Sequence, residues 1–129
     1  MGISTTLYYL TIVVFILSLI AQLRVTSTFR KYSKTICKSG LTGCDLAIAL
    51  LKRYNIGNIK VRRTKGKLTD HFDPMALEVR LSEEVYSSNS VAALGVAAHE
   101  IGMCFSILMG FYHIEFARRY FLLCLLGLG

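Results

Sequence analysis

The amino-acid sequence predicts an α+β protein that is held in a membrane by an N-terminal helix. Hydrophobic residues make up 53% of the chain and the mean hydropathy is +0.50, which exceeds the usual values for a soluble domain. Apolar residues run almost unbroken through positions 7–23. Helical and alternating patterns follow within a chain of 129 residues, which has room for one small domain.

The apolar run at 7–23 is at the lower end of the length that crosses a hydrocarbon core of about 30 Å. We expect residues 1–24 to form an uncleaved transmembrane anchor, because positive charge follows the run and Ala21-Gln22-Leu23 is a poor cleavage site. Positive charge directly after a span marks the cytoplasmic flank. The sequence therefore predicts a cell-membrane protein with its N-terminus outside and most of the chain in the cytoplasm.

The positive charge is concentrated in one part of the chain. Residues 24–67 contain twelve Lys or Arg and a single acid, Asp45, in a chain of net charge +7. Anionic membrane lipids are a sufficient partner for juxtamembrane cations. We do not expect nucleic acid as a partner, because no nucleic-acid-binding motif accompanies the charge. The four cysteines form no C-x-x-C pair and are interpreted as free thiols.

We predict one partial domain over residues 25–112. Residues 24–39 are polar and are interpreted as a linker or a short interfacial helix. Thr42 is a good N-cap for an amphipathic helix that continues to Asn55, with Gly57 as its stop signal. Alternating residues at 59–63 and 76–81 predict a small β-hairpin, with residues 69–74 as the loop between its strands.

Two further serines are expected to cap helices. Ser82 precedes a short turn, and Ser90 precedes a strongly apolar helix from Val91 towards Tyr112. The remaining residues, 113–129, are interpreted as a hydrophobic tail, whose last ten residues would reach only about 15 Å as a helix and are too short to cross a bilayer.

The apolar helix contains a zinc-peptidase motif in which the fifth and last position departs from the pattern. In H-E-x-x-H the two imidazoles lie one turn apart and bind one Zn²⁺, while the Glu activates water. His99 and Glu100 fit this pattern, but Met103 stands in the place of the second histidine. A thioether is a poor zinc ligand. We predict His99 as a metal ligand, Glu100 as the catalytic general base, and weak or absent zinc binding.

Four ordered segments carry a wider resemblance, covering roughly residues 34–102. They are Gly40-Leu41-Thr42-Gly43, Leu68-Thr69-Asp70-His71-Phe72-Asp73-Pro74, Val79-Arg80-Leu81-Ser82-Glu83-Glu84-Val85-Tyr86 and Ala97-Ala98-His99-Glu100-Ile101-Gly102. In this order they resemble the bacterial membrane-anchored neutral zinc metallopeptidases. The resemblance implies a zincin-like domain around a metal-motif helix, zinc as cofactor, and a peptide or protein substrate.

The chain departs from this family after Gly102. The family pattern places histidines at the positions of Met103 and close to Ile107, and it continues through further hydrophobic spans to an acidic ligand. Ile114-Glu115-Phe116 faintly resembles that acidic region, which makes Glu115 a further candidate metal ligand, and His71 is another. We therefore expect a truncated or degenerate member with impaired activity. A deletion, a frameshift and a decaying copy all remain open as its cause.

Two other functions remain compatible with the sequence. The first is a small non-enzymatic membrane protein that retains a remnant of the fold. The second is a copper-binding membrane protein, because His99 with Met103 and Met109 with His113 are each spaced by four residues. A continuous helix would separate the two histidines by about 21 Å, so one copper site would require a break in the helix.

Overall fold

The computed structural model describes residues 2–109 together with Leu122 and Leu126. The chain divides into two compact units, Met1–Lys31 and Tyr32–Gly129, and each is described by itself. The described residues form four helices and a three-stranded sheet, which confirms the α+β class.

Helix α1 (Gly2–Ser33) contains the apolar run expected to form the anchor. Within Ser4–Ser33 an 18-residue window has a mean hydropathy of 2.1, and none of that window is buried. The 30 residues of helix reach about 45 Å, enough to cross a bilayer. The hydroxyls of Thr6, Thr11 and Thr26 each donate to the carbonyl four residues earlier, so these side chains need no water. Residues 24–33 continue this helix without a break, where a linker or a separate interfacial helix was predicted.

Helix α2 (Gly43–Arg53) begins with the predicted cap. The hydroxyl of Thr42 accepts from the Asp45 amide, and the Asp45 carboxylate accepts from the Thr42 amide, which forms a complete capping box. The end of the helix corrects a prediction. Asn55, at φ 56°, takes the left-handed terminating position, and Ile56 N–H donates to the Leu51 carbonyl at 3.0 Å. Gly57 lies two residues further on and does not stop the helix.

The sheet also differs from the predicted hairpin. Strands β1 (Lys60–Thr64) and β3 (Glu78–Ser82) lie where strands were predicted, but they are parallel neighbours. Strand β2 (His71–Asp73) lies within the predicted loop and pairs antiparallel with β3, so the order is β1-β3-β2. Three residues are too few to produce a detectable alternation, and the chain must return through this segment for β1 and β3 to be parallel.

The two faces of the sheet have opposite characters. Val79 and Leu81 are fully buried on the face towards the helices. The other face carries a chain of ion pairs, in which Glu78 contacts Arg62 at 2.8 Å and Arg80 at 3.2 Å, and Arg80 reaches Asp73 at 3.5 Å. One face therefore forms core while the other is solvated, as in most small sheets with antiparallel pairs.

The helices enclose the rest of the core. Helix α3 (Glu83–Tyr86) follows Ser82 directly, and helix α4 (Val91–Met109) packs mainly against α2. The Ser90 hydroxyl accepts from the Ala93 amide at 3.1 Å, which confirms the predicted cap of α4. Leu46, Leu50, Leu94, Ile101 and Phe105 are fully buried between these elements. Although α4 is apolar enough to span a membrane, 44% of the residues in its apolar 18-residue window are buried inside this unit, as in the core helix of a folded domain.

Residues 35–37 attach the beginning of this unit to the start of α4. Val91 N–H donates to the Thr35 carbonyl at 2.8 Å, and Cys37 N–H donates to the Asn89 carbonyl at 2.9 Å, on either side of a bridge between Ile36 and Ser90. The first turn of a helix has amide donors without partners inside the helix. Here the segment that follows α1 satisfies one of them.

Candidate metal centre on helix α4

The structure places the motif residues on one accessible side of α4. His99 and Met103 are one turn apart and both exposed, Met103 by 41%, and Glu100 is half-buried beside them. The segment that carries the motif is therefore helical, and positions 99 and 103 lie on the same side of the helix, as predicted. The assignment of metal binding to His99 and of catalysis to Glu100 stays a prediction.

Helix α4 packs against β2, which brings residues of the sheet close to Glu100. Burial raises the pKa of the Glu100 carboxyl above its ordinary value. The charge of His99 lowers this pKa, that of Asp70 raises it and that of His71 lowers it, so all three groups lie within electrostatic reach of Glu100. The segment before and within β2 is thus a neighbour of the candidate centre.

Asp70 is held by the far end of β3. Its carboxylate accepts from the Ser82 amide at 2.7 Å and from the Ser82 hydroxyl at 3.1 Å. Ser82 is only 1% exposed, so this carboxylate satisfies two buried donors. The side chain of Asp70 thus accepts the β3 amide just beyond the last backbone pair of the β2–β3 ladder, His71 with Arg80. The Ser82 side chain consequently makes no cap bond to α3, although Ser82 stands at the predicted N-cap position.

The tautomer of His71 follows from its hydrogen bond. Nδ1 lies 2.7 Å from the carbonyl oxygen of Thr69, which can only accept, so Nδ1 is the donor and a lone pair for a metal could come only from Nε2. His71 is exposed and stands opposite Arg80 in the antiparallel register, on the ion-paired face of the sheet. A backbone carbonyl on one ring nitrogen is a common companion of metal-binding histidines, but ligation by His71 stays a prediction.

The acidic residues near His71 are already engaged. The Asp73 carboxylate accepts from the Met75 and Ala76 amides at 3.0 and 3.1 Å and closes the β2–β3 turn. Asp70 is bound to Ser82 as described above. Both carboxylates therefore have structural roles, which account for their presence in the segment 68–74 that carries the family resemblance.

The zinc that the resemblance implies can be tested against these donors. Across residues 2–109, Leu122 and Leu126, no group of three His, Cys, Asp or Glu side chains could hold a metal ion. Cys104 is fully buried away from the exposed side of α4, and burial raises the pKa of its thiol to about 11, so it offers no thiolate. On this side of α4 the described residues thus supply one imidazole, His99, and one carboxylate, Glu100, but not a zinc ligand set.

Two predicted residues lie outside the described part of the chain. These are Glu115, the candidate late ligand, and His113 of the copper alternative. Met103 and Met109 are both exposed on α4, by 41% and 55%. The described residues therefore do not test metal binding by Glu115 or a copper site that includes His113.

The bond between Asp70 and Ser82 is the main feature near this centre that the sequence did not predict. Twelve residues separate the partners, and no local pattern signals a carboxylate that completes a β ladder. One signal was available, since both residues fall inside segments that carry the family resemblance. A shared structural contact would explain why the two segments occur together.

Comparison with known proteins agrees with the resemblance. The profile of the family described as "putative neutral zinc metallopeptidase" matches residues 7–121. The chain is 45% identical over 94 residues to the "putative membrane protease YugP" of Bacillus subtilis, an alignment that covers 73% of this chain and 42% of that protein. This chain thus spans less than half the length of that relative. No solved structure matches it. Its apolar helix α1 and this relative indicate a membrane protein, and the chain belongs to the neutral zinc metallopeptidase family.

Proposed function

We propose that this protein is a membrane-anchored relative of zinc peptidases with impaired hydrolysis of peptide bonds, that Glu100 is its general base and His99 a zinc ligand, and that its zinc affinity is low. The observation that carries the proposal is the exposed side of α4, where His99 stands one turn from Met103 and next to the half-buried Glu100. The family match supports the type of reaction. Zinc, when bound, would polarise the peptide carbonyl and acidify a water molecule.

The low affinity follows from the thioether of Met103. Zinc binds imidazole, carboxylate and thiolate, and the described residues provide no second such group on this side of α4. One missing ligand should cost several kcal/mol of the roughly 10–16 kcal/mol that a complete structural zinc site provides.

Zinc titration of the full chain in detergent micelles tests this proposal. We expect weak binding by the wild-type protein and an affinity higher by on the order of 100-fold, about 3 kcal/mol, in Met103→His. Met103→Leu is the matched control, because it changes the side chain without adding a ligand. Tight stoichiometric zinc binding by the wild type, or no gain in Met103→His, would contradict the proposed role of position 103.

Hydrolysis of a fluorogenic peptide library tests the catalytic half. We expect Met103→His to raise a chelator-sensitive activity that Glu100→Gln abolishes. Because Gln keeps the size of Glu, loss of activity without loss of folding would identify the missing carboxylate as the cause. Activity that persists in Glu100→Gln would refute its assignment as general base.

The orientation in the membrane is proposed from charge. Arg24, Arg30, Lys31 and Lys34 follow the apolar run closely, whereas residues 1–6 contain no Lys or Arg. This asymmetry favours a cytoplasmic location for the second unit. An epitope tag at the N-terminus should be digested by protease added to intact cells, and a protected tag would reverse the orientation.

A further inference from the structure

Strand β1 has one edge that no described residue pairs with. Lys60 N–H donates to the Leu77 carbonyl at 3.0 Å, so the backbone groups of Lys60 point towards β3. Backbone directions alternate along a parallel strand, which turns the amides and carbonyls of Val61 and Arg63 to the opposite side. Among the described residues, β1 pairs only with β3, and this opposite edge is open.

A groove of about 350 Å³ runs beside this open edge. Its apolar walls come from Ile48 and Ile56 on the side of α2 and from Ile59 and Val61 on the side of β1. Neither β2 nor β3 contributes to the lining, so the groove lies on the side of β1 that faces away from the sheet. A strand added to β1 would place every second side chain above this groove.

The charges beside this edge that remain without an acidic partner among the described residues are positive, because Arg62 pairs with Glu78 and Arg63 with Glu83. Lys52 lines the groove, and Lys60 lies on the other face of β1; both are exposed and make no ion pair within the described part of the chain. No Asp or Glu lines the groove. A second copy of this chain would bring another β1 with the same lysine and arginines, and like charges on neighbouring strands repel. The charge pattern therefore favours an acidic occupant over self-association.

We propose that the open edge of β1 and the adjoining groove bind an extended peptide segment whose residues alternate between apolar and acidic. The backbone groups of Val61 and Arg63 pair with the added strand, its apolar side chains enter the groove, and its acidic side chains lie beside Lys60, on the face of β1 opposite the groove. This edge is the one opposite β2, the strand that lies against α4. Binding here is separate from the candidate metal centre and does not depend on the proposed catalysis.

The first experiment measures peptide binding to the full chain in neutral detergent micelles. The probe is an octapeptide of alternating Glu and Val, and the reference is a peptide of the same composition with four Glu followed by four Val. We expect the alternating peptide to bind at least about tenfold more tightly, because only it separates the two side-chain classes onto opposite faces. Equal affinities would overturn the proposal.

Amide hydrogen exchange of the wild-type protein tests the register of the added strand. Binding of the alternating peptide should slow exchange at Val61 and Arg63, and leave Lys60 and Arg62 unchanged, because the amides of the latter pair already point to β3. Unchanged exchange at Val61 and Arg63 would refute strand addition, as would protection confined to another surface.

Two variants separate the contributions of backbone and charge. Val61→Pro removes an outward amide without removing a bond of the β1–β3 ladder, and should weaken the alternating peptide at least about tenfold. Lys60→Glu should weaken the Glu/Val peptide and strengthen a Lys/Val peptide, whereas the exposed Lys38, changed in Lys38→Glu, serves as the control and should alter neither.

A membrane surface is the competing occupant. Vesicles of anionic phospholipid provide the comparison, with the chain held in neutral nanodiscs. If the vesicles bind through Lys60 while the alternating peptide does not bind, the groove serves lipid and the proposal fails. If Lys60→Glu leaves the affinity for the alternating peptide unchanged, the assigned charge contact is wrong.

Discussion

Asp70→Ala should destabilise the second unit strongly, because the carboxylate of Asp70 is the acceptor for two donors of Ser82 at the end of β3. The amide lies at 2.7 Å and the hydroxyl at 3.1 Å, and Ser82 is 1% exposed, so water cannot replace the lost acceptor without opening the structure. A hydrogen bond to a charged group contributes about 1.5–3 kcal/mol. With a reduction for the half-exposed position of Asp70, we expect a loss of about 3 kcal/mol in the free energy of unfolding.

Urea titration in detergent micelles measures this loss, with near-ultraviolet circular dichroism of the tyrosines as the signal, since the chain contains seven Tyr and no Trp. Asp70→Asn retains one oxygen acceptor and should lose only about 1 kcal/mol. Ser82→Ala in the Asp70→Ala background should add little, because the hydroxyl has no remaining partner to lose. A loss below about 0.5 kcal/mol in Asp70→Ala, or an equal loss in Asp70→Asn, would refute the reasoning.

Three further predictions concern positions where the structure assigns one clear cause. Gly43→Ala should cost about 3 kcal/mol in the same titration, because a methyl group there would lie against the carbonyl oxygen of Val85; an unchanged midpoint would show that the two elements separate easily. Asn55→Gly should raise the free energy of unfolding by about 0.5 kcal/mol, because glycine adopts the left-handed φ of 56° without strain. Gly57→Ala should leave it unchanged, because the added methyl group would meet no atom within 4 Å. The opposite pattern would restore Gly57 as the helix stop. Burial raises the pKa of the Cys104 thiol to about 11 in the folded state, whereas the unfolded chain loses this proton near pH 9, so the free energy of unfolding should fall as pH rises from about 9 towards 11. Cys104→Ala should remove that part of the decline. An identical slope in the variant would place the titrating group elsewhere.

Local signals in the sequence predicted the helices and their beginnings well. Thr42 and Ser90 are caps because a hydroxyl can accept an amide two or three residues later, and such bonds depend only on neighbouring residues. The apolar helix α1 was equally evident, since length and composition suffice to identify it. The angular positions of His99, Glu100 and Met103 around α4 also followed from the sequence, because helix geometry fixes them once the three residues share one helix.

The parts that sequence reasoning missed depend on distant contacts. Whether β1 lies parallel or antiparallel to β3 is decided by the path of the intervening chain, and that path includes β2, a strand of three residues. The end of α2 was misplaced because Asn55 can adopt a left-handed φ, a less common choice than the glycine two residues later. The neighbourhood of Glu100 likewise arises only when β2 comes to rest against α4.

The bonds between residues 35–37 and the start of α4 determine where the chain can be cut. A soluble version that begins at Lys34 would retain the carbonyl of Thr35 and the amide of Cys37, and both would still reach their partners at Asn89 and Val91. A version that begins at Gly40 would lose them and expose the first amides of the helix that carries His99. Removal of the hydrophobic anchor is therefore compatible with an ordered remainder only if those few residues after it stay attached.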